Sequence, residues 1–547
     1  MKVLAVIIGL TAALVVAAAA PATPRLPAQA GALKAIRLAL AAGRIDGATA
    51  NAGRTEIARA ARLIRTLPGG RREPVAVALG ELAAFSGRLT APRALALIGQ
   101  LQVNDDYFAK HYPPAPKTDV TDADGVVYRY FPGRCLEFHP LANFGALNAR
   151  VAANDAAGAQ RLADALIARG VYQQGGGIGW EYFFDYSGGR APWLSGMAQA
   201  VAAQAFARTA ALVPEEATTL MREARAAYSV IPGRLLTSVP AGPWIRLYSF
   251  QSVRVLNAQL QAVLSLQSYA TAAEDPDAAA LAARMQRAAA ATLPSFDTGY
   301  WTYYSLPNEP SPLDYQQFVV QLLRKLAPSD PLFAAAATRI AAYQQQPPAF
   351  KLTNAALGAL RFWLSKPATV QVNTAAGPTK LLALGDGWHT LAWPEPKRPG
   401  VYPVHVTAVD WAGNRATFDA LPIVRATAAG TAAVARTTSA STKSAGTPFA
   451  AGAALDDPSQ GTALQTLGLH LARLGVVWPA GATAPDPTVL AALQQLPAGL
   501  SSVLELNASP LPADDAGRGA LAQYAAALAQ QTPGLQSLVL APAPTTA

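Results

Sequence analysis

The sequence predicts a multidomain, mainly α protein: an incomplete (α/α) toroid, then an immunoglobulin-like β-sandwich, then a partial α/β region. Three observations carry this. The apolar share of the 547 residues is 51%, and much of it is alanine, which favours long packed helices over disorder. Helical periodicity alternates with aromatic, glycine-bearing loops over 27–348 and gives way to apolar–polar alternation over 349–425. The length exceeds what a single core organises, so about two to four domains are expected.

The chain opens with Met1-Lys2, an apolar run from Val3 to Ala20, and Pro21-Ala-Thr-Pro24. A positive start, a short apolar stretch and small residues describe a signal peptide over 1–20 and an exported protein. An uncleaved anchor is the other reading, because the run is close to the roughly 18-residue minimum for spanning a bilayer. Helices are expected at 55–66, 74–85 and 91–101, with Gly69-Gly70 as a breaker between the first two. Val126 to Phe131 reads as a strand. Further helices are expected at 141–153, 156–168, 195–211, 214–227, 252–270, 277–291 and 315–326. Helix pairs with their aromatic loops gathered at one end suggest the toroid.

Pro347-Pro348 closes that region. Ala368–Val372, Lys380–Leu384 and Tyr402–Val409, with turns at Gly385-Asp-Gly387 and Gly413-Asn414, suggest the β-sandwich over 349–425. Residues 426–446 are mostly Ala, Thr and Ser, a linker composition. From 447 to 547, apolar runs at 471–478, 501–506 and 535–540 alternate with helical stretches, which implies a parallel sheet.

The net charge is +10, but no basic run appears, so a nucleic-acid stripe is not indicated. Attraction to an acidic polymer or association with the cell envelope fits the charge better. Cys135 is the one cysteine, so no intramolecular disulfide can form, and the residue reads as a small buried hydrophobe. No two histidines have metal-ligand spacing, so zinc is not indicated; Asp119, Asp122 and Asp124 offer calcium only a weak signal, because Thr118–Gly125 lacks the terminal Glu of an EF-hand loop, and no metal is assigned.

The densest chemistry is phenolic. Tyr300, Tyr303, Tyr304 and Tyr315 fall close together, among Trp301, Asp297 and Asp314. Phenols can stack on a sugar, donate a hydrogen bond, or carry a proton to and from carbon. His139, in Glu137-Phe-His-Pro140, either faces substrate or is a satisfied loop histidine. Asp297 reads as the anchor of its own turn through Thr298-Gly299.

Several fragments then follow one another in order: Trp180-Glu-Tyr-Phe-Phe-Asp-Tyr186, Pro192-Trp-Leu-Ser-Gly-Met-Ala-Gln199, Val255-Leu-Asn257, Leu293-Pro-Ser-Phe-Asp-Thr-Gly299, Thr302-Tyr-Tyr-Ser-Leu306 and Asp314-Tyr315. Together, over about Trp180 to Leu326, they resemble the C-terminal catalytic region of the D-glucuronyl C5-epimerase family. The resemblance implies conversion of glucuronate to iduronate within an acidic polysaccharide, by removal of the C5 proton and its return from the opposite face. It implies no redox cofactor. It assigns catalytic roles to Tyr304, Tyr315 and Tyr248, the last in Trp244-Ile-Arg-Leu-Tyr248.

The chain also departs from that pattern. Arg246-Leu247 stands where an acidic pair is expected, Pro307-Asn308 replaces a segment that bears an arginine, and Gln316-Gln317-Phe318 replaces a histidine-containing stretch. Arg246 or Arg254 is the candidate for the positive charge facing the uronate carboxylate; the other reading for both is a solvated or ion-paired helix end. Trp180, Tyr182 and Trp193 either stack on sugar or fill the core. Gln199 and Asn257 either bind substrate or cap loops. Tyr300 and Tyr303 read as packing around Trp301.

The C-terminal segment resembles the opening half of a secreted (β/α)8 glycoside hydrolase, a half TIM-barrel-like region, through Arg473-Leu-Gly-Val-Val-Trp478 and Tyr524-Ala-Ala-Ala-Leu-Ala529. Ala541-Pro-Ala-Pro544 stands where those enzymes carry the Asn-Glu-Pro acid, so hydrolysis there is not expected. A uronate lyase or hydrolase on the same scaffold, or a non-catalytic glycan-binding protein, are the alternatives.

Overall fold

The computed structural model describes residues 26–541, apart from 357–358, 375–376, 393–399, 426–451, 456–470, 498–499, 509–511, 513 and 533. The signal-peptide and linker expectations lie outside the described residues. Among them, no helix is long and apolar enough to cross a membrane.

The N-terminal part packs α1 (Leu26–Ala41), α2 (Gly47–Thr66), α3 (Gly69–Ala84) and α4 (Ala91–Phe108) against one another. Asp46 caps α2 by accepting the Thr49 N–H at 2.7 Å. The break between α2 and α3 falls at Leu67-Pro68 rather than at Gly69-Gly70, which forms the first turn of α3.

Asp105 on α4 is fully buried with both carboxylate oxygens unpartnered. Burial pushes its carboxyl up from 3.8 to about 8; Glu56 and Asp106 add to this, and Arg59 and Arg62 oppose it. A folded-state value above the unfolded one means stability is full below pH ~4 and falls as pH rises towards ~8. The loss is on the order of 6 kcal/mol at most, at about 1.4 kcal/mol per unit. Asp105→Asn is expected to flatten that decline in urea titrations at pH 5 and pH 8. An unchanged slope between the two would mean that Asp105 is ionised in the fold.

A small antiparallel sheet, β1 (Asp119–Thr121), β2 (Val127–Tyr130) and β3 (Leu136–Phe138), leads into α5 (Pro140–Ala152) and α6 (Ala156–Ile167). After the pair β4 (Val171–Tyr172) and β5 (Ile178–Gly179) come α7 (Gly196–Leu212) and α8 (Ala217–Arg234). The hairpin β6 (Leu236–Val239) and β7 (Gly242–Ile245) then precedes β8 (Arg254–Val255), α9 (Leu256–Ala273) and α10 (Pro276–Thr292). The helix expected from 252 starts only at Leu256, because Arg254 and Val255 pair with Leu306 and Ser305 in a sheet with β9 (Tyr303–Leu306) and β10 (Glu309–Pro310). The layer ends with α11 (Leu313–Leu326) and α12 (Pro331–Tyr343), the latter not anticipated from sequence.

Helices α5, α7, α9 and α11 pack in series, each against the next. In α7, 13 of 17 residues are buried, so the helix is surrounded rather than amphipathic. Small side chains let neighbours approach on every side, which accounts for the abundance of alanine. Each of these four helices begins just after a loop or strand that carries polar and aromatic residues.

Two antiparallel sheets follow. One is β11 (Phe350–Ala356), β12 (Ala359–Leu364) and β15 (Gly387–Ala392); the other orders β14 (Gly377–Leu384), β13 (Ala368–Thr374), β16 (Gly400–Asp410) and β17 (Arg415–Arg425). Leu360, Phe362 and Leu364 of the first share a core with Val370, Val372, Val404 and Val406 of the second. The C-terminal strands β18 (Gly452–Leu455), β19 (Leu471–Val477), β20 (Ser501–Asn507) and β21 (Leu535–Ala541) pair in parallel and in chain order. Helices α13 (Pro487–Leu493) and α14 (Asp515–Gln531) connect them. This sheet is open: no closed barrel exists among the described residues.

Candidate active site

Tyr248 lies in the loop after β7, Tyr304 on β9 and Tyr315 in the first turn of α11, so three separate segments bring the sequence-predicted phenols together. The rings of Tyr304 and Tyr315 meet edge-on, with centroids 5.0 Å apart. Gln316 sets that meeting: its Oε1 accepts from the Thr302 N–H at 3.1 Å and the Thr302 hydroxyl at 2.8 Å, locking α11 to the turn before β9. Trp301 adds a second lock, donating its indole N–H to Ser311 O at 2.7 Å.

Tyr186 completes the cluster. It ends the aromatic run after β5, and its ring lies 5.1 Å from that of Tyr248. The tight turn Tyr186–Gly189 closes by reciprocal backbone hydrogen bonds, with Ser187 and Gly188 at positive φ. The Tyr248 hydroxyl sits near those of Tyr186 and Tyr304 without an aligned hydrogen bond to either. The hydroxyls of Tyr248, Tyr304 and Tyr315 are buried and unpartnered.

Burial pushes all three phenols above their ordinary value. Neighbouring phenols add to the rise at Tyr248 and Tyr315, and the Arg129 guanidinium opposes it at Tyr315.

Arg129 was not singled out in the sequence. It sits on β2, a strand buried on both faces, and is 1% exposed. Its Nε and Nη2 donate to the two Asp119 oxygens at 2.7 Å each, while Nη1 has no partner. An arginine inside an apolar, aromatic strand was the available signal. His139 caps α5: its Nδ1 accepts the Ala142 N–H at 3.0 Å. Its Nε2 is buried and unpartnered, so the ring is only half satisfied.

The other sequence-predicted residues divide by placement. Tyr182 stacks flat on Trp193, centroids 4.1 Å apart, and Trp193 in turn meets Tyr248 edge-on at 5.6 Å. These two form the wall of the cluster. Trp180 is 1% exposed, packs on Phe144 and Phe206, and donates to Leu166 O. Gln199 donates to the carbonyls of Ile178 and Ala227. The structure thus uses Trp180 and Gln199 to hold the core beneath the loops. Asn257 is buried with Oδ1 unpartnered. Arg246, just after β7, and Arg254, on β8, are half-buried and neither forms an ion pair among the described residues, so neither is the solvated or ion-paired helix end that was the other reading.

Tyr300 and Tyr303 turn away from the cluster. Tyr300 meets Trp363 edge-on, and the Tyr303 hydroxyl donates to Asp386 at 3.2 Å, so both dock the β-sheets onto the helical layer. Asp297 anchors its turn by accepting the Gly299 N–H at 2.9 Å, and also holds Arg339 and Tyr343.

One group of possible metal donors exists among the described residues: Glu81, Cys135 and Glu137, whose donor atoms lie within 4.8 Å of one another. Arg134 and Gln100 already engage both carboxylates there. Arg134 and Gln100 answer those charges, so the group reads as a buried ion-pair network.

Converging buried phenols at one end of a helical layer can stack on a sugar or exchange a proton with carbon. Residues 174–337 match the family model described as D-glucuronyl C5-epimerase C-terminus, which bears out the resemblance for this segment and indicates carbohydrate epimerisation in broad terms. Tyr186, Tyr248, Tyr304 and Tyr315 all fall inside the matched residues. No curated protein matches the chain. A solved structure entitled "Crystal structure of D-mannose isomerase" is similar at 14% identity and a TM-score of 0.31, covering 42% of this chain. The chain spans 65% of that structure's length.

Proposed function

We propose that the protein is an exported enzyme that epimerises uronate residues at C5 within an acidic polysaccharide. In this reading the helical layer is an incomplete (α/α) toroid and the paired antiparallel sheets an immunoglobulin-like module. One observation carries it: three buried phenol hydroxyls, each without a partner, meet inside a family domain of C5-epimerase type.

The chemistry needs a base and an acid on opposite faces of C5. Tyr304 or Tyr315, the two phenols whose rings meet edge-on, takes the C5 proton as phenolate. The C–H bonding pair moves into the carboxylate, giving an enediolate. Tyr248, which reaches the cluster from the separate loop after β7, donates its O–H proton to the other face. The substrate has then gained and lost one proton, with no net oxidation. Exchange with water resets the two phenols.

The test is incubation of the full chain with several glucuronate polymers in deuterium oxide. Deuterium at C5 together with iduronate, and no rise in ultraviolet absorbance, is the expected result. Unsaturated uronate products would make the protein a lyase. Binding without any exchange would make it a glycan-binding protein.

A further inference from the structure

A buried N–H without a partner costs on the order of 1–3 kcal/mol, so two such groups side by side call for an explanation. Arg129 and His139 are each 1% exposed, and each leaves one nitrogen unpartnered: Nη1 of the guanidinium and Nε2 of the imidazole. Both residues belong to the segment that runs from β2 through β3 into the N-terminus of α5.

The geometry determines what His139 offers. Its Nδ1 accepts the Ala142 N–H as the helix cap, so a neutral ring must carry its proton on Nε2. Burial and the neighbouring Arg129 charge both hold the imidazole well below its usual range, which keeps it neutral. The free nitrogen is therefore a donor. Its ring meets Tyr182 edge-on at 5.3 Å, and Tyr182 is the stacking partner of Trp193 on the wall beside Tyr248. Arg129 pairs with Glu137 across β2 and β3, and the His139 N–H donates to Val127 O, so the two side chains are diagonal neighbours on one face of that sheet. Asp119 already balances its charge through two hydrogen bonds and leaves Nη1 for something else.

We propose that Arg129 Nη1–H and His139 Nε2–H form the subsite that receives the substrate's carboxylate, beside the tyrosine cluster. The inference rests on the uronate reading of that cluster and names the group that the reading left unplaced. Two N–H donors match two carboxylate oxygens. Their hydrogen bonds strengthen as the C–H electrons move into the carboxylate and charge builds on those oxygens, which is where fixed donors help a reaction most. Arg246 and Arg254 are then free to meet carboxylates further along the polymer.

His139→Asn separates the two duties of the ring. Asparagine is a good N-cap and keeps an acceptor for Ala142, but it removes the Nε2–H donor. The probes are methyl β-D-glucuronide and methyl β-D-glucoside, which differ only in a carboxylate against a hydroxymethyl group. The variant is expected to bind the glucuronide about tenfold more weakly and the glucoside unchanged, about what one charge-assisted hydrogen bond supplies. In the unaltered protein labelled with nitrogen-15 histidine, the glucuronide, but not the glucoside, is expected to shift the His139 Nε2–H resonance. Equal weakening for both glycosides, no weakening, an unmoved resonance at saturation, or binding of neither glycoside overturns the subsite. Glucuronide discrimination that depends on His139, with no C5 exchange on any polymer, would keep the subsite and refute the epimerase reading.

Discussion

Tyr248→Phe will abolish inversion at C5 while leaving exchange of the C5 proton in place. The base still removes that proton and returns deuterium from solvent to the same face, but the opposite face has lost its donor. Net epimerisation is expected to fall at least about a hundredfold, the lower end of what a positioned proton donor supplies. The double variant Tyr304→Phe/Tyr315→Phe will lose both exchange and inversion, and the two single variants will show which phenol is the base. None of these changes should weaken the fold, because each removes a buried hydroxyl that has no partner to lose. Polymer recovered from deuterium oxide, read by NMR for label and configuration, decides the matter. Full inversion by Tyr248→Phe would end the assignment of Tyr248 as the acid.

Lys366→Ala will destabilise the protein by roughly 3–5 kcal/mol, the usual cost of stranding one member of a buried ion pair. The Lys366 and Asp410 side chains are both 0% exposed, and their charged atoms lie 3.2 Å apart. The ammonium also donates to the carbonyls of Tyr343 and Gln346, each at 2.6 Å, just where the helical layer hands over to the sheets. Burial lowers the Lys366 value and Asp410 opposes that, which keeps the charge in place. Asp410 holds the turn amides of Ala412 and Asn414 as well. The effect reaches the site, since the ammonium lies 5.4 Å above the Trp301 ring that locks the Tyr304 strand. C5 exchange should therefore decline with stability. A loss under about 1 kcal/mol in urea titrations would show that the pair is a surface-like contact.

Much of the fold was legible because local periodicity carries it. The helices at 156–167, 276–292 and 313–326 begin and end close to where their apolar spacing and caps place them. The strand at 254–255 was read as helix because its partners, Leu306 and Ser305, lie about fifty residues on and contribute nothing to local pattern. Gly69-Gly70 placed the break slightly late for a related reason: a glycine pair breaks a helix interior but not a first turn, and only the chain path shows which it is. Within the site, the phenols stood out by density. Arg129 did not, since one arginine in a strand looks the same whether it faces water or a buried carboxylate.

The sequence by itself determined the alternation of helix and aromatic loop, the change to strands after Pro348, and the concentration of tyrosines between Tyr300 and Tyr315. Those follow from periodicity and from short motifs, which are properties of neighbours along the chain. Only the tertiary structure decided that Tyr186 joins them, that Trp180 and Gln199 serve the core, and that Arg129 and His139 each keep one donor free. A free donor is defined by the absence of a partner in space, and partners are brought or withheld by packing between distant segments.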